Sequence, residues 1–133
     1  MNQTQKTVAN MMDIRTPKIQ LTDSILAIRF LFEEYSLSAL PVVLGDQLVG
    51  VLHQDDVRSI VDQEAKVAHL MTKEHIKFFH DDTWADAVEV LSLGIFPMVP
   101  IVNHLNELIG ILTPSSLVRM PMNGKQTSFA ALN

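Results

Sequence analysis

Residues 8–57 and 67–117 of this chain carry one pattern twice, and any fold must accommodate both copies. A shift of 59 residues lays Val8-Ala9-Asn10-Met11-Met12 on Val67-Ala68-His69-Leu70-Met71, Lys18 on Lys77, Asp23 on Asp82 and Pro41 on Pro100. A shift of 60 then lays Leu48 on Leu108, Gly50 on Gly110 and Leu52 on Leu112. The single extra residue falls in a turn, where insertions are tolerated. Order and spacing hold over nearly the whole unit, which identifies an internal duplication.

Within the first copy, Ile19-Gln20-Leu21 reads as a short strand. Thr22-Asp23-Ser24 offers capping side chains before a helix whose apolar face is Ile25, Ile28, Leu31 and Phe32, ending at Tyr35-Ser36. Ala39–Leu44 and Leu48–Leu52 read as strands about a Gly45-Asp46 turn, rich enough in β-branched residues to be largely buried. His53–Asp56 then opens a second helix through Val57, Ile60 and Val61. The second copy repeats this order. Ile76–Phe79 is the strand, Asp81-Asp82-Thr83 the cap, and Trp84, Val88 and Leu91 the helix face, closing at Gly94. Met98–Val102 and Glu107–Leu112 are the hairpin, and Thr113-Pro114 is a matched helix start. Asp62–Lys66 reads as the linker, and residues 121–133 as a tail with little periodicity.

Composition narrows the function classes. The chain has 133 residues, 47% hydrophobic and 19% charged, the profile of a globular protein with apolar surface to spare for self-association. The net charge of −5 is even: residues 1–63 carry five Lys/Arg against eight Asp/Glu, and residues 64–133 five against seven. No basic patch invites phosphate backbones, so nucleic-acid binding is not expected. Cysteine is absent, which excludes disulfides and thiolate sites. The Met1–Lys6 stretch has no apolar core of a signal peptide, and no apolar run approaches a membrane span, so a cytoplasmic, membrane-free protein is expected.

Leu40-Pro41-Val42-Val43 with Gly50-Val51-Leu52-His53-Gln54-Asp55-Asp56-Val57, and Val99-Pro100-Ile101-Val102 with Gly110-Ile111-Leu112-Thr113-Pro114-Ser115-Ser116-Leu117, resemble the cystathionine-beta-synthase (CBS) domain in tandem. The likeness runs from residue 8 to about residue 120. It implies an α/β (α+β) fold of two β-α-β-β-α repeats, residues 1–63 and 64–120, packed through their sheets about a pseudo-twofold axis with a tail at 121–133. It further implies a stand-alone regulatory module, a homodimer that senses AMP, ADP, ATP or S-adenosylmethionine in the clefts between repeats and acts on an effector protein. No cofactor is required. The family motif runs Gly, two apolar residues, Ser/Thr, two variable residues, Asp; the acid accepts from ribose hydroxyls and the hydroxyls hold phosphate. Carried over, it marks Ala39, Leu40, Pro41, His53, Asp55 and Asp56 in one copy, and Val99, Pro100, Thr113, Ser115 and Ser116 in the other.

The chemistry has independent support. A carboxylate can accept from both ribose hydroxyls, a helix start favours an anion, and a β-branched wall can sandwich an adenine ring. Both copies depart from the motif. His53 replaces the hydroxyl in the first, where Asp55 adds a second negative charge; Ser116 replaces the acid in the second. The first site is therefore expected to take a neutral or cationic adenosyl ligand, the second at best a phosphate-anchored nucleotide. Plainer readings stand beside these. Asp56 also suits a helix dipole, and Thr113-Pro114 is a capping pair. His75, His80, Asp81 and Asp82 show no recurring ligand spacing, so no metal site is expected. The remaining histidines, His53, His69 and His104, read as turn or surface residues. Trp84, Phe78-Phe79, Met11-Met12, Met71 and Met98 read as packing. No nucleophile stands beside a base, and no glycine-rich phosphate loop is present, so no enzyme is expected. The rival to ligand sensing is a ligand-free module acting by dimerisation or partner docking.

Overall fold

The computed structural model describes residues 6–14 and 17–118; the 121–133 tail lies outside the described residues. Each copy forms a three-stranded sheet. In the first, β1 (Ile19–Gln20) pairs parallel with β2 (Ala39–Leu44), which pairs antiparallel with β3 (Gln47–His53). The second repeats this with β4 (Phe78–Phe79), β5 (Val99–Val102) and β6 (Leu108–Leu112). The helices are α1 (Ile25–Tyr35), α2 (Gln54–Arg58), α3 (Val67–Leu70), α4 (Trp84–Leu91) and α5 (Pro114–Val118). Among the described residues no helix is long and apolar enough to cross a membrane.

The expected punctuation operates. Ser24 Oγ accepts from Ala27 N at 3.1 Å, and Thr83 Oγ1 from Asp86 N at 3.2 Å, satisfying first-turn amides of α1 and α4. Ser36 (φ 53°) closes α1 in the left-handed region, and Gly94 (φ 74°) turns the chain after α4. Three elements, β1, β4 and α2, are shorter than expected. The opening strands shrink to two residues each, because β1 and β4 pair only at Ile19/Gln20 and Phe78/Phe79. Helix α2 stops at Arg58, before Ile60 and Val61. A helix this short cannot hold itself; the Arg29 guanidinium donates to the Val57 carbonyl at 2.8 Å and also to that of Ile60.

Two cores form, and each borrows from the other copy. Val8 is buried among Phe78, Trp84, Ala87, Leu91 and Val99, whereas Val67 is buried among Ile25, Phe32, Leu40 and Leu52. Backbone bonds fasten the exchange. Val8 N donates to Asp82 O at 2.9 Å and Asp13 N to Ile111 O at 2.9 Å; Thr72 N donates to Val51 O at 2.8 Å. Each lead-in thus crosses to the far sheet and lies along its edge strand. The methionines pack as expected, Met71 over Gly50 and Met12 over Gly110. Ala39, Val51, Met98 and Ile111 form a third cluster where the sheets meet. The hairpin tips dock reciprocally, Leu48 N onto Asn106 O (3.1 Å) and Leu108 N onto Asp46 O (2.9 Å), which expresses the pseudo-twofold relation.

The crossing explains the two strand glycines. A Cβ on Gly110 would stand 2.7 Å from Met12 Sδ and 3.1 Å from Asp13 O; one on Gly50 would meet Met71 Sδ at 2.7 Å and Thr72 O at 3.0 Å. A thioether can move, but a carbonyl engaged in the bridge cannot. Gly110→Ala is predicted to destabilise by roughly 1–3 kcal/mol, the usual cost of overpacking. Adding Met12→Ala should return part of that loss, so the pair is non-additive in urea titrations. A Gly110→Ala midpoint equal to wild type would contradict the close crossing.

Candidate functional site

The exchange of lead-ins leaves two clefts. One, of about 230 Å³, is lined by Val51 and His53 of β3, Thr72, Glu74, His75 and Ile76 from the second lead-in, and Ile95, Phe96, Pro97 and Met98 leading into β5. The other, of about 250 Å³, is lined by Ile111, Thr113 and Ser115, by Asp13 and Pro17 from the first lead-in, and by Tyr35 and Leu37 leading into β2. The duplication maps one onto the other. Val51 answers to Ile111 and His53 to Thr113 at a shift of 60; Asp13 answers to Thr72, Pro17 to Ile76 and Leu37 to Phe96 at 59. Each cleft therefore combines the sheet edge and helix start of one copy with the lead-in and strand approach of the other.

Among the residues singled out from sequence, His53 lines the first cleft, and Thr113 and Ser115 the second. Ala39, Leu40, Pro41, Val99 and Pro100 are buried within β2 and β5. Ala39 packs against Val51, Met98 and Ile111, so these strands underlie the clefts rather than line them. Asp55 and Asp56 stand on the exposed first turn of α2, outside the lining of the first cleft. Asp55 is 3.0 Å from the Arg58 guanidinium, with both side chains well exposed, so its charge is partly offset locally. Ser116 is buried, 2% exposed, and its Oγ accepts from Thr113 N at 3.0 Å. It is engaged in capping α5, as the third helical residue reaching back to the cap. Thr113 Oγ1 and Ser115 Oγ are 2.8 Å apart at the cleft.

Glu74, Asp13, Thr72, Phe96 and Tyr35 were not singled out from sequence. The signal for the first three was the recurring lead-in itself, Val8–Met12 and Val67–Met71, but its crossing to the other copy is a matter of topology. Each cleft thereby has a carboxylate from the opposite lead-in, Glu74 in one and Asp13 in the other.

The histidine and acid run of the second copy separates into three roles. His75 lines the first cleft. Asp82 accepts from Phe79 N at 2.8 Å, as Asp23 does from Gln20 N at 2.9 Å, a turn common to both copies. His80, Asp81 and His104 converge, with His104 Nε2 at 3.0 and 3.1 Å from the Asp81 carboxylate oxygens. The hydrogen bond from His104 holds the Asp81 carboxyl below its ordinary value of 3.8.

A family model described as CBS domain matches residues 8–63 and again 67–123. Among curated relatives, an inosine-5'-monophosphate dehydrogenase of Methanocaldococcus jannaschii is 38% identical over 88 residues, 65% of this chain but 18% of that enzyme. A homoserine O-acetyltransferase of Methanocorpusculum labreanum is 29% identical over 116 residues, 86% of this chain and 24% of that enzyme. The chain thus spans less than a quarter of the length of either. Among solved structures, CBSX2 in complex with AMP superposes with a TM-score of 0.74 at 24% identity, covering 96% of this chain and 99% of that one. The CBS domain pair of protein MJ0100, solved with 5-methylthioadenosine and S-adenosyl-L-methionine, gives 0.70 at 21% identity, covering 91% and 98%. These likenesses establish the fold.

Ser116→Ala is predicted to cost about 1 kcal/mol in denaturant unfolding, the usual value of a helix-start cap. A loss near zero would mean that the buried hydroxyl is not the cap of α5. For Asp81 the sign is fixed by its lowered pKa: the contribution to stability is present above the ordinary carboxylate range and is lost as pH falls through the folded value. The side-chain carboxyl resonance of Asp81 should titrate below 3.8 in the wild type and move back up in His104→Gln.

Proposed function

Because this chain belongs to the CBS domain family, we propose that it is a regulatory module sensing an adenosine-containing ligand between its repeats, with the His53 cleft the stronger site. Relatives of the same fold solved with AMP and with S-adenosyl-L-methionine supply the ligand class. One observation carries the reading to this chain: the make-up of the His53 cleft. Ile76, Phe96, Pro97 and Met98 offer an apolar slot for a purine, and Glu74, His53 and His75 supply the polar groups. Its volume of about 230 Å³ is below the ~300–1,000 Å³ of ordinary small-molecule sites, so a ligand of the size of S-adenosylmethionine would extend past the rim.

Charge selects among adenosyl ligands. Among the described residues no lysine or arginine lines this cleft, while Glu74 lies within it and Asp55 and Asp56 stand on the adjoining turn. A polyphosphate would meet the charges of Glu74 and Asp56, Arg58 offsetting only that of Asp55. A neutral or cationic ligand, of which S-adenosylmethionine is the type, would meet an acceptor for its ribose in Glu74, with Asp56 at the rim. The Thr113–Ser115 cleft has hydroxyls and Asp13 in place of the imidazoles, and takes the weaker role. A ligand in either cleft touches one copy's helix start and the other copy's lead-in, so occupancy biases how the copies pack. The module itself is non-catalytic: the segments it resembles are minor parts of two enzymes with unrelated chemistry. The outward face of α1, with Leu26 57% and Phe30 62% exposed, is the surface through which it pairs as a homodimer.

Thermal unfolding with S-adenosylmethionine, AMP and ATP tests the proposal. S-adenosylmethionine at about a hundred times its dissociation constant should add about 2.7 kcal/mol of apparent stability. ATP should add less, and Glu74→Gln or His53→Ala should remove most of the gain. Equal stabilisation by ATP would overturn the charge argument. No shift with any of the three at millimolar concentration would leave the ligand-free interaction module.

A further inference from the structure

The second sheet ends in a corner that neither cleft uses. Strand β4 runs parallel to β5, so both finish at the same end of the sheet, and His80 N donates to Val102 O at 3.0 Å. That pairing brings His80 and Asp81 beside the β5–β6 turn, where His104 lies 23 residues further along the chain. One ligand atom from each residue falls within 4.8 Å of the others. We propose that His80, Asp81 and His104 form a binding site for a zinc-class divalent transition-metal ion on the second repeat.

The donor set and its support both fit. Two imidazoles and a carboxylate suit Zn²⁺ and exclude a magnesium or calcium preference, which would call for oxygen donors throughout. In a tetrahedral site with bonds of about 2.0–2.1 Å, neighbouring donor atoms stand roughly 3.4 Å apart, close to the 3.0 and 3.1 Å between His104 Nε2 and the Asp81 oxygens. The His80 donor atom lies within 4.8 Å of the other two, a gap that rotation of its side chain would have to close. The fourth position is open to water.

Second-sphere contacts hold the donors in place. The Phe79 ring stacks on His104 at 4.8 Å and 8°, fixing the imidazole plane. Asn103 Oδ1 accepts from Leu105 N and Glu107 N, each at 2.9 Å, and so sets the turn that carries His104. Ala9 N donates to His80 O at 3.1 Å, tying the crossing lead-in to the same corner.

Comparison of the copies shows that the scaffold does not require this cluster. At a shift of 59, His80 and Asp81 answer to Leu21 and Thr22, and the turn of the first copy, Leu44-Gly45-Asp46, has no histidine. The residue by which the second copy is longer falls in the turn that bears His104. The corner therefore folds without these side chains, and the donors are specific to one copy.

Isothermal titration of the tag-free full chain with Zn²⁺, repeated with Co²⁺ for its absorption spectrum, tests the site. One ion per chain is expected, with the visible bands of a four-coordinate Co²⁺ complex. His104→Gln and His80→Asn should each weaken Zn²⁺ at least about tenfold, the lower end of what losing even an outer-sphere partner costs. His69→Gln should bind as wild type does. Asp81 and His104 have side chains 56% and 61% exposed, so the variants should keep the fold, which circular dichroism verifies. Wild-type Zn²⁺ uptake no tighter than that of the His104→Gln, His80→Asn double variant would overturn the proposal. So would single variants that bind as wild type.

Discussion

The close crossing of each lead-in over the opposite sheet is the constraint on which the molecule depends. Met12 and Asp13 lie on Gly110, and Met71 and Thr72 on Gly50, at distances that leave no room for a side chain on the strand. The crossing extends each sheet by an edge bridge, through Asp13 and Ile111 on one side and Thr72 and Val51 on the other. It also supplies each core with a fully buried valine from the other copy. Without the exchange, β3 and β6 would be open edges, a liability for pairing with other chains. Neither copy is complete alone.

The clefts follow from the same crossing. A lead-in that bridges to the far edge strand must pass beside the helix that this strand feeds, so its next residues face the helix start. This is why Glu74 shares a cleft with His53, and Asp13 with Thr113. The two sites are alike in construction and unlike in chemistry. Imidazoles and an apolar slot mark one, hydroxyls and a tyrosine the other. The buried Ser116 hydroxyl bonds the Thr113 amide, and the acid lining that cleft is Asp13.

Much of this architecture was legible in the sequence. Periodicity and capping residues place α1 and α4, the β-branched runs place both hairpins, and the duplication places one copy's elements from the other's. What was not legible is where the copies touch. The pattern Val8–Met12 reads as the start of its own repeat, and nothing local says that its valine is buried against Trp84. Ala39, Leu40 and Pro41 stand next to the cleft residues in the sequence, yet the alternation of a strand buried on both faces turns them into core. His104 presents the same limit in another form. It forms no spacing with His80 and Asp81 along the chain, and only the parallel register of β4 and β5 brings them together.

In this duplicated scaffold the backbone contacts between the copies recur, while side chains at the clefts and at the sheet corner differ. Gly50 and Gly110 are alike because each lies under the other copy's lead-in, and the hairpin tips keep reciprocal backbone bonds although their residues differ. At the helix starts and just past β1 and β4 the residues differ: His53 against Thr113, Asp56 against Ser116, Leu21 against His80. Because each cleft is half built by the opposite copy, a change in one copy's lead-in alters the other copy's site. Asp13 reaches the Thr113 cleft through the same segment whose Ala9 is bonded to His80 O. The corner and that cleft therefore share one short, backbone-bonded stretch of chain.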